Sequence, residues 1–161
     1  MIEYKNILYC TDFSEDAEFA FLHAQDLAKK YSAKLYILHI LHSPYKYMRH
    51  VVDEHAGPGE ESFVTEKIVE AAKEDLKKRY VDRMEGIGSY EILVKEGTPW
   101  VEIVKYAKGQ NIDLIVMGTA GSSELERIEF GSTVENVARR AHCHVIAIRN
   151  PEKRFTLPGT L

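Results

Sequence analysis

Gly118, Gly121, Gly131 and Ser132 stand in a fixed frame within GTAGSSELERIEFGST: glycine, two residues, glycine, nine residues, glycine and a hydroxyl. Glycine lets a backbone approach a ligand with no Cβ in the way, and amides at a helix start aim donors at an anion. The chemistry this pattern offers is recognition of phosphate oxygens by main-chain N–H groups, assisted by the hydroxyls of Ser132 and Thr133. No GxxxxGK occurs in the chain, so the pattern is not a lysine-bearing P-loop. Glycines that merely supply turns are the competing reading, because turn glycines are common after strands.

Asp12, in CTDFS, is the next group with chemical capacity; alone it is either a helix-entry residue or a ligand-facing carboxylate. In AHCHV, alternation puts His142 and His144 on one strand face and Cys143 on the other. Two imidazoles without a third and fourth ligand are a weak zinc signal, and a subunit contact is the better reading. His39, His42, His50 and His55 match no zinc spacing and suit a solvated, pH-sensitive loop. Cys10, in an apolar run with no neighbouring base, reads as an inert buried thiol, and Trp100, after Pro99, as a packing residue. No Ser, His and acid arrangement follows from spacing, and no general base stands near the phosphate positions. A bound phosphoanhydride would therefore be hydrolysed slowly at most, since phosphoryl transfer needs positioning and charge stabilisation together.

These residues need a frame to hold them. Five apolar runs, NILYC (6–10), KLYILHIL (34–41), YEILV (90–94), DLIVM (113–117) and HVIAI (144–148), read as strands. Their near-continuous hydrophobicity fits strands covered on both faces of a mostly parallel sheet. Ser14 caps a helix with Glu15 and Asp16 in its first turn and Lys29 and Lys30 in its last. Thr98 and Pro99 open a helix that Gly109 stops, and residues 134–141 form another. A charged segment over 61–83 places Ile68, Ala72, Leu76 and Tyr80 at helical spacing. The alternation predicts a doubly wound α/β fold with right-handed crossovers and helices on both faces.

The 161 residues predict one domain, 1–161, with a long loop over 42–61 and an extended C-terminal arm over 150–161. A net charge of -4 excludes any general attraction for nucleic acid or an anionic membrane, so a polyanion must be bound locally. The N-terminus has no signal-peptide pattern, no run approaches about 20 apolar residues, and the two cysteines lie in apolar runs. The expected location is the reducing cytoplasm.

The glycine frame resembles that of the ATP-binding members of the universal stress protein family. NILYCTDFSEDAEFAFLHAQDLA is similar to that family's opening strand, Thr-Asp turn and first helix, KLYILHIL to its second strand, and VENVARRAHCHVIAIRNP to its ending. The resemblance implies a Rossmann-like five-stranded parallel sheet in the order 3-2-1-4-5, with ATP as ligand, alone or with Mg or Mn. It implies that Asp12 reaches the ribose or a metal, that Ile40 lies against adenine, and that Met117 and Gly118 line the floor. Gly121, Gly131, Ser132 and Thr133 would hold the phosphates. The spacer SSELERIEF sets Glu124, Glu126 and Glu129 against Arg127, and such carboxylates repel a triphosphate unless they point away or help hold a divalent cation. The resemblance also implies a homodimer paired through the last strand and a role as a nucleotide-dependent regulatory module in stress response, with protein partners unspecified. A nucleotide-hydrolysing or adenylyl-transferring enzyme and a nucleotide-free dimeric scaffold are the alternatives.

Overall fold

The computed structural model describes residues 1–42, 60–120 and 131–151, the side chains of 60–65 excepted. Most of the long loop, Gly121 with the acidic spacer, and nearly all of the C-terminal arm lie outside the described residues. In chain order the elements are β1 (Asn6–Cys10), α1 (Glu15–Tyr31), β2 (Lys34–His42), α2 (Glu60–Arg79), a 3-10 turn (Val81–Arg83), β3 (Tyr90–Gly97), α3 (Pro99–Gly109), β4 (Leu114–Gly118), α4 (Ser132–Arg140) and β5 (His144–Ile148). The strands form one parallel sheet ordered β3-β2-β1-β4-β5.

The unbroken apolar runs have a direct cause. Successive side chains of a strand point to opposite faces, and each face has its own core. Ile7 and Tyr9 of β1 join Leu35, Ile37, Leu114 and Val116 under Ala20, Phe21 and Ala24 of α1, Leu76 of α2 and Tyr80 just after it. Leu8 and Cys10 join Leu38, Ile40, Ile115 and Met117 under Ile103 and Ala107 of α3 and Val134 and Val137 of α4. A polar residue at any of these strand positions would face one core or the other.

Helix α1 has the ends its sequence encodes. The Ser14 hydroxyl accepts from the Ala17 N–H at 3.3 Å, and the chain leaves the helix through Ser32 in the left-handed region. Elsewhere the boundaries shift. β3 continues past Val94 through Lys95 and Glu96 to Gly97, paired with Ile40 to His42 of β2, because backbone pairing rather than hydrophobicity ends a strand. Helix α3 includes Gly109, and the positive φ that closes this region belongs to Asn111. Thr98 occupies the position before α3 but makes no side-chain capping bond. The predicted stripe is buried at Ala72 and Leu76 of α2 and at Tyr80 just after it, while Ile68 is 50% exposed. Spacing fixes the angular face of a helix and not how far along it the partner surface reaches.

Leu8 is fully buried in the second core. Leu8→Ala is expected to lower unfolding free energy by about 2–5 kcal/mol, through lost transfer energy and the cavity left behind. Leu22→Ala, on the exposed side of α1, should stay within about 0.5 kcal/mol. Urea unfolding of both variants checks the contrast.

Candidate functional site

A parallel sheet whose strand order reverses leaves a crevice beyond the strand ends, because the connections of the neighbouring strands depart to opposite faces. Here the reversal lies between β1 and β4, and a cavity of about 650 Å³ opens there. Asp12, Ile40, Met117, Gly118, Gly131, Ser132 and Thr133 all line it. Gly121 falls outside the described residues.

The turn that carries Asp12 is built by side chains bonding back to the chain. Thr11 Oγ1 accepts from the Phe13 N–H at 3.0 Å, and Asp12 Oδ1 accepts from the Ser14 N–H at 3.0 Å. Phe13 adopts φ 63°, which costs a non-glycine residue about 1–3 kcal/mol unless its surroundings hold it there. They do: the Phe13 ring lies 4.5 Å from the His39 ring and parallel to that of Tyr80, with the Arg79 guanidinium 5.1 Å above it. Tyr80 Oη and Thr11 Oγ1 share a hydrogen bond of 2.6 Å, and His39 Nδ1 lies 2.8 Å from the Thr11 carbonyl oxygen. Burial pushes the Tyr80 phenol up to about 12, so it stays protonated in this network at neutral pH.

On the opposite side, Gly118 has no room for a side chain. A Cβ there would lie 2.9 Å from the carbonyl carbon and the Cβ of Asp16 and 3.1 Å from the Ala17 nitrogen. Ser132 and Thr133 do not precede the last helix, as their sequence position suggested. They form its first turn, and Gly131, with extended backbone, stands in the capping position. A glycine cap brings no side-chain oxygen of its own to the first N–H groups of α4, and Gly131, Ser132 and Thr133 all line the cavity.

Sequence reasoning missed several lining residues, and four of them, His39, Thr98, Trp100 and Asn136, bear on the chemistry of the site. His39 neighbours Ile40 on β2 but serves the Asp12 turn. Thr98 and Trp100 enter from the start of α3, and Asn136 lies one turn beyond Ser132, whose carbonyl oxygen accepts from Asn136 Nδ2 at 2.9 Å. Helical spacing from Ser132 would have found Asn136. Trp100 does pack on the second core, as expected, yet it also forms cavity wall, with the Arg140 guanidinium 4.8 Å from its ring centre. Among the described lining residues Asp12 is the one carboxylate, and no Lys or Arg is present.

Comparison with known proteins agrees with this architecture. The sequence model described as "Universal stress protein family" matches residues 3–149. The chain belongs to that family. Universal stress protein MJ0531 of Methanocaldococcus jannaschii is 35% identical over 153 residues, covering 93% of this chain and 85% of the relative. The solved structure of MJ0577 from the same organism superposes with a TM-score of 0.74 at 31% identity, covering 94% of this chain and all of that one. A universal stress protein solved in complex with cAMP shares the fold, with a TM-score of 0.58, 23% identity and coverage of 92% and 99%.

In this universal stress protein the two thiols are poor nucleophiles for a physical reason. Burial, and then proximity to Cys143, raises Cys10 far above the ordinary thiol range, and burial also raises half-buried Cys143. A raised thiol pKa lowers the thiolate fraction at any given pH below that of a free cysteine. Ellman's reagent at pH 8 is expected to modify Cys143 slowly and Cys10 not at all in the native protein, and both at once in denaturant. Rapid native labelling that survives Cys143→Ser would contradict the burial of Cys10.

Proposed function

We propose that this universal stress protein binds an adenine nucleotide, ATP in the first place, in the cavity at the strand reversal. In this reading it acts as a nucleotide-dependent regulatory module within a single domain, with slow hydrolysis at most. The observation that carries the reading is the convergence on one cavity of the Asp12 carboxylate, a Gly118 backbone stripped of side chain, and the glycine-capped start of α4. Ile40, Met117 and Trp100 offer an apolar wall of the kind a purine base needs, and Asp12 suits ribose hydroxyls. Ser132 and Thr133 with the α4 amides suit phosphate oxygens. The family member solved with cAMP supports the class of ligand.

The charge pattern favours a metal-nucleotide complex. With no Lys or Arg among the described lining residues, helix donors alone oppose the triphosphate charge, and Mg or Mn arriving with the nucleotide would supply the rest. Among the described residues no group of three or more His, Cys, Asp and Glu could hold an ion by itself. His39 Nδ1 is committed to the Thr11 carbonyl oxygen, which fixes the orientation of the ring at the cavity wall.

No helix among the described residues is long and apolar enough to cross a membrane. We place the protein's action in the cytoplasm, as a homodimer paired through β5, whose half-buried residues lie at the sheet edge.

Native mass spectrometry of protein purified without added nucleotide, followed by calorimetric titration with ATP and magnesium, tests the proposal. A dimer carrying or accepting one nucleotide per subunit is the expected result; a folded dimer that ignores ATP would instead support a ligand-free scaffold. Asp12→Ala should weaken ATP binding about tenfold or more, the effect of losing a charge-assisted hydrogen bond. Trp100 is the single tryptophan of the chain, so its emission should change on saturation with ATP, and inorganic phosphate alone should leave it unchanged.

A further inference from the structure

Asp16 is a carboxylate in the first turn of α1, a place where acidic side chains are normally solvated, yet it is 0% exposed. Its Oδ2 reaches out of its own helix to the chain beyond β4, accepting from the Thr119 hydroxyl at 3.3 Å and from the Ala120 N–H at 3.2 Å. Thr119 is held by its backbone as well. Its N–H donates to the Ile148 carbonyl of β5 at 3.0 Å, and its own carbonyl accepts from the Gly131 N–H at 2.7 Å. Thr119 and Gly131 are the two ends of the connection from β4 to α4, so the short hydrogen bond between them closes that connection at its neck. The Asp16 carboxylate holds the side of the neck that the strand supplies. The missing side chain of Gly118 is what lets α1 come close enough for this to happen.

Core stability alone does not call for a carboxylate here, since buried charges are commonly replaced by apolar residues at no loss. What a buried acceptor does supply is one geometry, because its donors have nowhere else to go. The positive end of the α1 dipole offsets part of the cost of burying it.

We propose that Asp16 is the positioning residue of the phosphate end of the cavity: it holds the neck formed by Thr119 and Gly131, and thereby the aim of the first-turn amides of α4. The role in phosphate affinity rests on the nucleotide reading above; the neck itself does not. Asp16 touches no nucleotide in this scheme. Its removal should therefore affect phosphate recognition and spare recognition of the base.

The test compares wild type, Asp16→Asn, Asp16→Ala and Thr119→Val. Asparagine keeps an acceptor oxygen for both donors and removes the charge; valine removes the hydroxyl and keeps the backbone. The first readout is amide exchange at Ala120 and Gly131 by NMR without ligand. The second is calorimetry with adenosine, AMP, ADP and ATP in magnesium. Asp16→Ala is expected to speed Gly131 exchange about tenfold or more and to cut the ratio of ATP to adenosine affinity by a similar factor, with adenosine itself little changed. Asp16→Asn should restore both to near wild type, and Thr119→Val should move both in the direction of alanine, which keeps the test decisive if Asp16→Ala fails to fold. Unchanged Gly131 exchange in the alanine and valine variants, or equal weakening of adenosine and ATP, would overturn the proposal. A wild-type chain that binds no nucleotide would overturn the function proposed above, and the exchange data would still decide whether Asp16 holds the neck.

Discussion

The close approach of α1 to the end of β4 is the constraint on which the rest of the site depends. Between Gly118 and the Asp16–Ala17 backbone there is no space for even one methyl group. The contact draws the start of α1 across the boundary between β1 and β4, where the sheet order reverses. The two strands therefore deliver their C-terminal residues to one hollow instead of to two separate surfaces. Asp12 arrives on the β1 side, and Met117 and Gly118 form the β4 side.

A second set of contacts holds the other rim. Tyr80 closes α2, and its phenol bonds the Thr11 side chain while its ring lies beside Phe13 in the strained turn. The cost of the left-handed Phe13 backbone is met by aromatic neighbours: His39 on β2, Tyr80 just after α2 and, through Tyr80, Tyr9 of β1 and Phe21 of α1. The Asp12 turn is thus an extension of that core and not an independent surface loop. Its geometry is set by packing, and the Asp12 carboxylate at the cavity wall inherits that rigidity.

Much of this was legible in the residues. The five strands and the helix starting after Ser14 follow from hydrophobic runs and capping chemistry, which are local, and the strand order followed from the family resemblance. The glycine frame pointed to the cavity at the strand reversal because Gly118 and Gly131 flank elements that are themselves readable. Asp16, Trp100 and Thr98 were not legible as parts of a site for the opposite reason. Asp16 reads as an ordinary first-turn acid, and only its contact with Thr119, over a hundred residues away, makes it unusual. Trp100 reads as a packing residue because it is one, and its second role arises where α3 meets α4. Ile68 shows the same limit from the other side, since periodicity chose its face but could not say where the core stops.

The sheet also ends differently on its two sides. β3, at one edge, carries Glu91, Lys95 and Glu96 among its apolar residues, and Lys34 pairs with Glu91 at 2.9 Å beside it. β5, at the other edge, is HVIAI, with no charge after its first residue. Charges on an edge strand oppose pairing with a stray strand, whereas an uncharged edge invites it. Two copies joined through β5 about a twofold axis would use up both inviting edges and turn two charged ones outward. Growth of the sheet would then be self-terminating: the asymmetry of one subunit would act as a counting device that stops at two.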